Sequence, residues 1–520
     1  MSGGVDSSVI ALLLSDLFHT LQGELTLYPV YMRNWSTLEE SDKFEPGSGG
    51  AAGCEWQQEW EGVQGVCRHL KLPEPRLIDL SKEYWRDVFA PSLDDWAAGL
   101  TPNPDVLCNR EIKFGALLDR LIPPSTRDAQ RITPQGPKSW LATGHYARLV
   151  YPSSAATSGQ VTEPELHRAS HRFKDQSYFL SSVPATSFAH ALFPLANIEK
   201  DQVRRLAKAY ALPTAEKKES MGLCFVGKRG KGQEKRSENK RFEGEAGEVA
   251  ALTSTSKPSL SHAGSDTRRG AAPTFGSWLS SYLSPSSPYT SPGPFVTLAG
   301  DVLGHHQGLH TLTIGQRARL PGLLQKWFVA RKEVGEIGDV AQVQRAPGGG
   351  QEGRAIVVPG ADHPLLLCTA VELPLSTFKW VAHGGPPAEL FAQSPGEDGP
   401  GMKLLAQVRH RTEETPCQVT LRSSPGDPSS EGMLHVSFAA SLSAPFESPS
   451  PDGQATATSH SPSASPLPGQ APNVPGLSRD PAMKPSAICP GQVLALYDGN
   501  RCLGSAVIPA GAVRLLGEQV

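Results

Sequence analysis

What is scarce in this 520-residue chain narrows its function before anything present is considered. None of the eight cysteines (Cys54, Cys67, Cys108, Cys224, Cys368, Cys417, Cys489, Cys502) belongs to a C-x2-C or similarly close pair, so no zinc site is expected. The longest unbroken aliphatic run, Val9 to Leu14, falls far short of the roughly 18 residues of a membrane span. Charge of one sign is also lacking: 49 Lys/Arg against 52 Asp/Glu leave a net of −3, which excludes a uniformly basic nucleic-acid coat. The residues after Met1 do not read as a targeting peptide, and the cysteines read as reduced thiols, most of them small core residues.

Glycine and proline, by contrast, are plentiful at 51 and 46, so part of the chain is loop or insert. Two to four domains are expected from length. Over the first 150 residues apolar β-like runs alternate with helical periodicity: helix from Val9 to Phe18, strands at Leu25 to Met32, Arg76 to Leu80 and Trp140 to Thr143. An amphipathic helix through Trp56, Trp60, Val63, Cys67 and Leu70 falls between them. That alternation implies a parallel sheet with helices on both faces, whose ligands sit at the strands' carboxyl ends. A helix at Lys200 to Tyr210 and a short apolar stripe at Phe275 to Leu283 follow. From about Phe295 short runs such as Ala355 to Val358, Lys403 to Val408, Gln418 to Leu421 and Gln492 to Tyr497 read as a small β-domain.

Two stretches read as inserts, 231–272 and 441–487. In the second, Ser and Pro supply 20 of 47 residues, too little apolar material for a core. Residues 217–241 hold nine Lys/Arg against three Glu, either a solvated loop or a patch able to meet phosphate. The expected division is a catalytic unit over 1–226, a central unit over 227–345 and a C-terminal β-barrel over 355–520.

Three segments carry chemistry. Ser2-Gly3-Gly4-Val5-Asp6-Ser7-Ser8 is a glycine turn opening into a helix, where backbone N–H groups, serine hydroxyls and the positive helix end converge as an anion cradle. It lacks the Gly-Lys-Ser/Thr ending of a Walker A loop. Thr101-Pro102-Asn103-Pro104-Asp105-Val106-Leu107-Cys108-Asn109 places a cysteine at the expected start of a helix over 110–121. A thiol there gains thiolate character, although an isolated cysteine of this kind is more often simply buried. Cys224 follows a basic pair, Lys217-Lys218, and Gly222.

The string S-G-G-V-D-S-S resembles the PP-loop of the ATP pyrophosphatases. Together with Tyr31 to Trp35, Thr101 to Phe114, Ala142 to Tyr146, Lys174 to Leu180, Gly222 to Gly227, Gly304 to Gly308, Gly315-Gln316-Arg317 and Pro490-Gly491-Gln492, it resembles the tRNA-specific 2-thiouridylases. The resemblance implies a PP-loop α/β domain, a small central domain and a C-terminal β-barrel. It implies adenylation of the wobble uridine C2 oxygen and sulfur transfer, with Cys224 carrying a persulfide, Cys108 as the second thiol closing a disulfide with it, and Asp105 as general acid/base. Ser2, Gly3, Gly4, Val5, Asp6, Ser7, Ser8, Met32 and Gly144 would hold ATP. Mg2+ would screen its phosphates, with no resident metal site.

For the tRNA anticodon stem-loop the matching positions are Asn103, Pro104, Asp105, His145, Lys174, Asp175, Gln176, Arg409, His410 and Gln492; at His410 the family commonly has Tyr. On composition alone Met32 would be core, Lys174 and Asp175 a surface ion pair, His145 a strand-capping histidine and Gln492 a turn residue. The implied partners are tRNA and a persulfide donor protein, the implied state a monomer, and the implied location mitochondrial, with the cytoplasm as the alternative. Two rival readings stand beside this one: another PP-loop enzyme adenylating a carboxylate or amide, and a tRNA-binding protein with an impaired ATP site. Family members also place an apolar strand just before the PP-loop, where this sequence has Met1. The expectation is therefore of further upstream residues supplying that strand, alone or with a mitochondrial presequence, the alternative being that another segment fills the gap.

Overall fold

The structure is a computed structural model that describes residues 1–21, 25–35, 55–131, 139–152, 163–217, 275–335, 352–382, 385–387, 390, 401–422, 432–438 and 485–516. Cys54, Cys224, the insert at 231–272 and nearly all of that at 441–487 lie outside the described residues.

The N-terminal part is built on helices and short parallel strand pairs. The helix Val5–Thr20 buries Val5, Val9, Ile10 and Leu12. Val5, Val9 and Ile10 share one cluster with Val203 and Ala207 of the helix Lys200–Ala209. Strand β1 (Val30–Arg33) pairs in parallel with β2 (Arg76–Asp79), in the register Met32↔Ile78, and the helix Glu55–His69 makes the crossover between them. Tyr31, Val63 and Cys67 bury that crossover. A second parallel pair joins β3 (Leu141–Ala142) to β6 (Ala191–Leu192). These elements match the expected βα alternation, but β1 covers only the last part of the apolar run from Leu25.

The segment around Cys108 departs from expectation. Its helix starts at Pro104, with Asn103 as N-cap, and not near Arg110. Proline at a first helical position has a pre-set φ and no N–H to lose, which is why the start moves forward. After Pro104–Leu107 the chain continues as a π-wound stretch, Cys108–Leu117, and then Leu118–Leu121. Cys108 therefore lies one turn inside the helix, where the terminal dipole has largely faded.

The remaining strands form two antiparallel-rich sheets. In the first, β7 (Gly293–Val296), β8 (Val302–His306), β9 (Arg317–Ala318), β10 (Trp327–Gly335) and β11 (Glu352–Pro359) run in the order β8-β7-β11-β10-β9. Only β11 and β7 pair in parallel. The run Ala355 to Val358, expected in the C-terminal unit, thus belongs to the central sheet, and the expected boundary between 345 and 355 moves beyond Pro359. Long-range pairing decides this, and no local pattern announces it.

The larger sheet joins β12 (Cys368–Pro374), β14 (Met402–Gln407), β15 (Thr415–Arg422), β16 (Met433–Ser437), β17 (Val493–Asp498), β18 (Arg501–Val507) and β19 (Val513–Leu515). A short β13 (Lys379–Trp380) pairs with β18. Its far edge is completed by β4 (Ala147–Val150) and β5 (Glu165–Arg168) from the N-terminal part, with Arg501 opposite His167. The expected unit over 1–226 therefore contributes a hairpin to the C-terminal sheet.

The helix Phe275–Ser280 sends Trp278 into the N-terminal helical core. Its ring centroid lies 5.8 Å from that of Phe89, 6.4 Å from Trp35 and 5.0 Å from Tyr282, and the side chain is fully buried. Trp278→Ala should cost about 3–5 kcal/mol, measured by chemical unfolding followed by far-UV circular dichroism. A cost below about 1 kcal/mol would show that this helix does not anchor the core.

Candidate active site

At the start of the helix Val5–Thr20, Gly4 is the N-cap and no side chain caps the helix. The N–H groups of a first helical turn have no intrahelical acceptors, which leaves a cradle for an anion. Gly3 has φ +65°, and a Cβ there would stand 2.8 Å from the Glu59 carbonyl oxygen, so the turn requires glycine. Both Ser7 Oγ and Ser8 Oγ donate to the Gly4 carbonyl, at 3.1 and 2.9 Å, and Ser7 Oγ accepts from Ser2 N at 3.1 Å. Gly144 lies against this loop: a Cβ added to it would meet Asp6 Cβ at 3.5 Å and Ser7 N at 3.8 Å.

Three residues that the sequence reading did not assign to the nucleotide loop complete it. Lys200 Nζ, buried, donates to Asp6 Oδ1 at 2.6 Å, and Tyr146 Oη donates to the same oxygen at 2.9 Å. Lys217 Nζ donates to the Gly3 carbonyl at 2.9 Å. Tyr146 at least stood in the quoted His145-Tyr146 pair. Nothing local marks Lys200, which reaches Asp6 across 194 positions of sequence.

Cys108 is buried in an apolar cluster with Ile112, Leu80 and Trp96, against which Met32 and Trp35 pack. Met32, half-buried, packs against this core, as its composition suggested. Asn34 Nδ2 lies 3.8 Å from Cys108 Sγ. One turn earlier, Asp105 is half-buried, and desolvation pushes its carboxyl pKa up, opposed by the nearby Lys113 ammonium. A raised carboxyl is the condition for proton transfer near neutrality. His145 packs its ring 5.7 Å from Phe114 and 5.6 Å from Phe193, with Thr143 Oγ1 at 2.8 Å from Nδ1. Burial first, and Lys113 second, push its pKa well below the ordinary value. Through Gly144 and His145 the phosphate loop and the Asp105–Cys108 helix are neighbours; Lys113 is a further cation in that space which the sequence reading did not select.

The positions expected to meet RNA lie in the segments flanking β4, β5, β14 and β17 and at the start of the helix Pro104–Leu107, and several have inward partners. Asp175, buried, accepts from Ala169 N at 2.8 Å and Ser177 Oγ at 2.7 Å, and pairs with Arg168 Nη1 at 3.4 Å. The surface Lys174–Asp175 ion pair that composition suggested is replaced by this buried one. Gln176 Oε1 accepts from Tyr146 N at 3.1 Å. Gln492 Nε2 donates to the Thr101 and Pro102 carbonyls at 2.8 and 3.2 Å, and its Oε1 lies 3.5 Å from Asn103 Nδ2. Arg409 Nη2 donates to the Ile314 carbonyl at 2.8 Å, to the Ala487 carbonyl and to Cys489 Sγ. His410 packs against Phe179 with ring centroids 4.4 Å apart and the rings tilted by 40°. Lys174 and Pro104 border the same surface, half-buried and buried respectively. Cys224 and the basic residues after Lys217 lie outside the described residues.

A glycine turn at a helix start, flanked by parallel strand pairs and joined to two β-sheets, defines a nucleotide-binding α/β protein of the PP-loop class with β-domains appended. Family models agree part by part: the tRNA methyl transferase HUP domain matches residues 1–228, the tRNA methyl transferase PRC-barrel domain 280–336 and the aminomethyltransferase beta-barrel domain 482–508. Among relatives, the tRNA-specific 2-thiouridylase MnmA of Cupriavidus metallidurans is 30% identical over 514 residues, covering 98% of this chain and 97% of that protein. The mitochondrial tRNA-specific 2-thiouridylase 1 of Drosophila melanogaster is 28% identical over 512 residues, covering 98% and 92%. That of Danio rerio is 30% identical over 438 residues, covering 81% of each. The chain belongs to the tRNA-specific 2-thiouridylase family.

Two outcomes test this geometry. Asp175→Ala should cost about 3–5 kcal/mol in chemical unfolding, because it removes the buried partner of the Arg168 guanidinium, leaving Glu414 at 3.4 Å, and the acceptor that Ala169 N and Ser177 Oγ use; a cost below about 1 kcal/mol would contradict the buried-pair assignment. The second concerns pH. His145 is neutral when folded and takes a proton when unfolded, so its contribution is intact above about pH 6.5 and is lost as pH falls below it. His306, held at about 4 by burial, acts in the same direction. His145→Gln should therefore flatten, without abolishing, the loss of stability between about pH 6.5 and 4 in thermal melts.

Proposed function

We propose that this protein is an ATP-dependent tRNA uridine 2-sulfurtransferase. The observation that carries the reading is the meeting of an anion cradle at Gly3–Val5, through Gly144 and His145, with the helix bearing Asp105 and Cys108. A uridine carbonyl oxygen is a poor leaving group, and adenylation turns it into one. The C2 oxygen attacks the α-phosphate of ATP and pyrophosphate leaves toward the loop, where the first-turn N–H groups receive its charge. Mg2+ travels with the ATP phosphates in this reading.

Asp105, its carboxyl raised by desolvation, moves the proton at the reacting base. The second stage needs two thiols. Cys224 carries a persulfide delivered by a donor protein; Cys108 attacks its inner sulfur, forming a Cys108–Cys224 disulfide and releasing hydrosulfide. That hydrosulfide adds to C2, AMP departs with the original oxygen, and an external reductant restores both thiols. Lys217, tied to Gly3, begins the segment that runs seven residues on to Cys224, a span of at most about 25 Å. The RNA face comprises Asn103, Lys174, Arg409, His410 and the edge around Gln492, with phosphate charge met locally because the net charge is −3. The fly and fish relatives are named as mitochondrial, and we assign this chain the same compartment.

Mass spectrometry of tRNA nucleosides, with and without the protein, tests the activity directly. Cys108→Ser and Cys224→Ser should each abolish 2-thiouridine formation while leaving tRNA affinity nearly unchanged. A loss below tenfold, about 1.4 kcal/mol of barrier, in either variant removes the two-thiol assignment. Sulfane sulfur trapped on Cys108 in place of Cys224 reverses the roles.

A further inference from the structure

The stretch 99–103, which leads into the helix carrying Asp105 and Cys108, has four of its backbone polar groups satisfied by distant parts of the chain. Lys332 Nζ, from β10 of the central sheet, donates to the Gly99 carbonyl at 3.0 Å. Thr101 N donates to the Pro490 carbonyl at 3.0 Å, and Gln492 Nε2 takes the Thr101 and Pro102 carbonyls at 2.8 and 3.2 Å, both just ahead of β17. The fit on each side is close. A Cβ on Gly491, at φ +90°, would stand 2.7 Å from Thr101 N, and one on Gly99, at φ +76°, would overlap the Tyr289 ring at 2.3 Å.

Lys332 is the unusual member of this seam. A lysine ordinarily keeps its ammonium in water. Here the ammonium is aimed at one backbone carbonyl, partly desolvated, with its pKa down to about 8 and the Cys489 thiol beside it. Cys489 is in turn held by Arg409, which also ties the Ile314 and Ala487 carbonyls. The central sheet, the large sheet and the catalytic stretch therefore meet within one set of hydrogen bonds.

We propose that Lys332 is a positioning residue for the transfer reaction. Through Gly99 it fixes where Asp105 and Cys108 stand, so the parts of the chain that hold RNA also set the catalytic segment. The inference rests on the function proposed above. Catalysis of this kind is sensitive to placement, since a displacement of about 1 Å in a reacting group can cost on the order of 100-fold in rate. A contact supporting only the fold has no such selective effect.

The full chain is compared with its Lys332→Met, Lys332→Arg and Gly491→Ala variants, using tRNA, ATP, glutathione persulfide as the sulfane-sulfur source and glutathione as the reductant. Lys332→Met should lower kcat at least tenfold while the tRNA Kd and the ATP KM stay within twofold. Lys332→Arg, which keeps a charged donor, should recover kcat to within threefold of the parent. Gly491→Ala, which disturbs the same stretch from the opposite side, should reproduce the kcat loss. Amide hydrogen exchange across 99–109 and alkylation of Cys108 should quicken in Lys332→Met, with exchange across β17 and β18 unchanged. The inference is overturned if kcat stays within twofold, or if tRNA affinity and melting temperature fall in proportion to it. Should the parent chain make no 2-thiouridine, the proposed function fails, and exchange and alkylation alone decide whether Lys332 positions the segment: unchanged rates overturn it.

Discussion

One buried guanidinium ties together the segments of β5, β14 and β17 in the large sheet. Arg168 lies at the end of β5 with its charge removed from water, a position tolerated only when the surroundings satisfy it. Asp175 faces it across 3.4 Å, Gln407 Oε1 accepts from it at 2.9 Å, and the Tyr497 ring lies 3.5 Å from its central carbon. Those partners come from three separate segments. Asp175 uses its other contacts to shape the turn 169–177, and Gln407 Nε2 holds the Arg409 carbonyl at 3.1 Å. Lys174, Gln176, Arg409 and His410 are thereby placed around a single charge. A buried pair of this kind adds little net stability, because desolvation offsets its attraction, but it penalises any arrangement that separates the partners.

The nucleotide side follows a different logic. Its cradle is made of backbone, and side chains keep that backbone in shape. Ser7 and Ser8 turn their hydroxyls to the Gly4 carbonyl, Lys217 holds the Gly3 carbonyl, and Asp6 is held between Lys200 and Tyr146. A backbone cradle needs no reorganisation when charge arrives, which is the property required where a phosphate leaves. The same economy explains why the loop depends on Gly3: its left-handed φ and the nearby Glu59 carbonyl leave no room for a side chain.

The candidate thiol shows where local reasoning stops. Proximity to a helix start suggested a dipole-activated cysteine, yet Pro104 begins the helix a turn earlier and Cys108 sits inside a π-wound stretch. Its surroundings are set by Asn34 from the end of β1 and by an apolar cluster drawn from several helices. π-wound turns often mark functional positions, because the extra residue re-aims side chains along the helix. Asp105 and Cys108 stand three residues apart across the change from α to π winding.

Sequence alone determined what depends on neighbours along the chain. The glycine turn before an apolar helix, the proline-stiffened approach to Cys108, the helices Glu55–His69 and Lys200–Ala209, and the strands Met402–Gln407 and Thr415–Arg422 are all legible from spacing and turn chemistry. Tertiary structure decided what depends on distant pairing. The run 355–358 joined the central sheet through Phe295 and Val296, the hairpin of β4 and β5 joined the C-terminal sheet, Asp175 found Arg168 and not Lys174, and Lys200 found Asp6. The physical reason is common to all four. Periodicity reports which face of an element is buried, whereas the identity of the covering surface depends on hydrogen-bond partners and charges that meet only once the chain has closed.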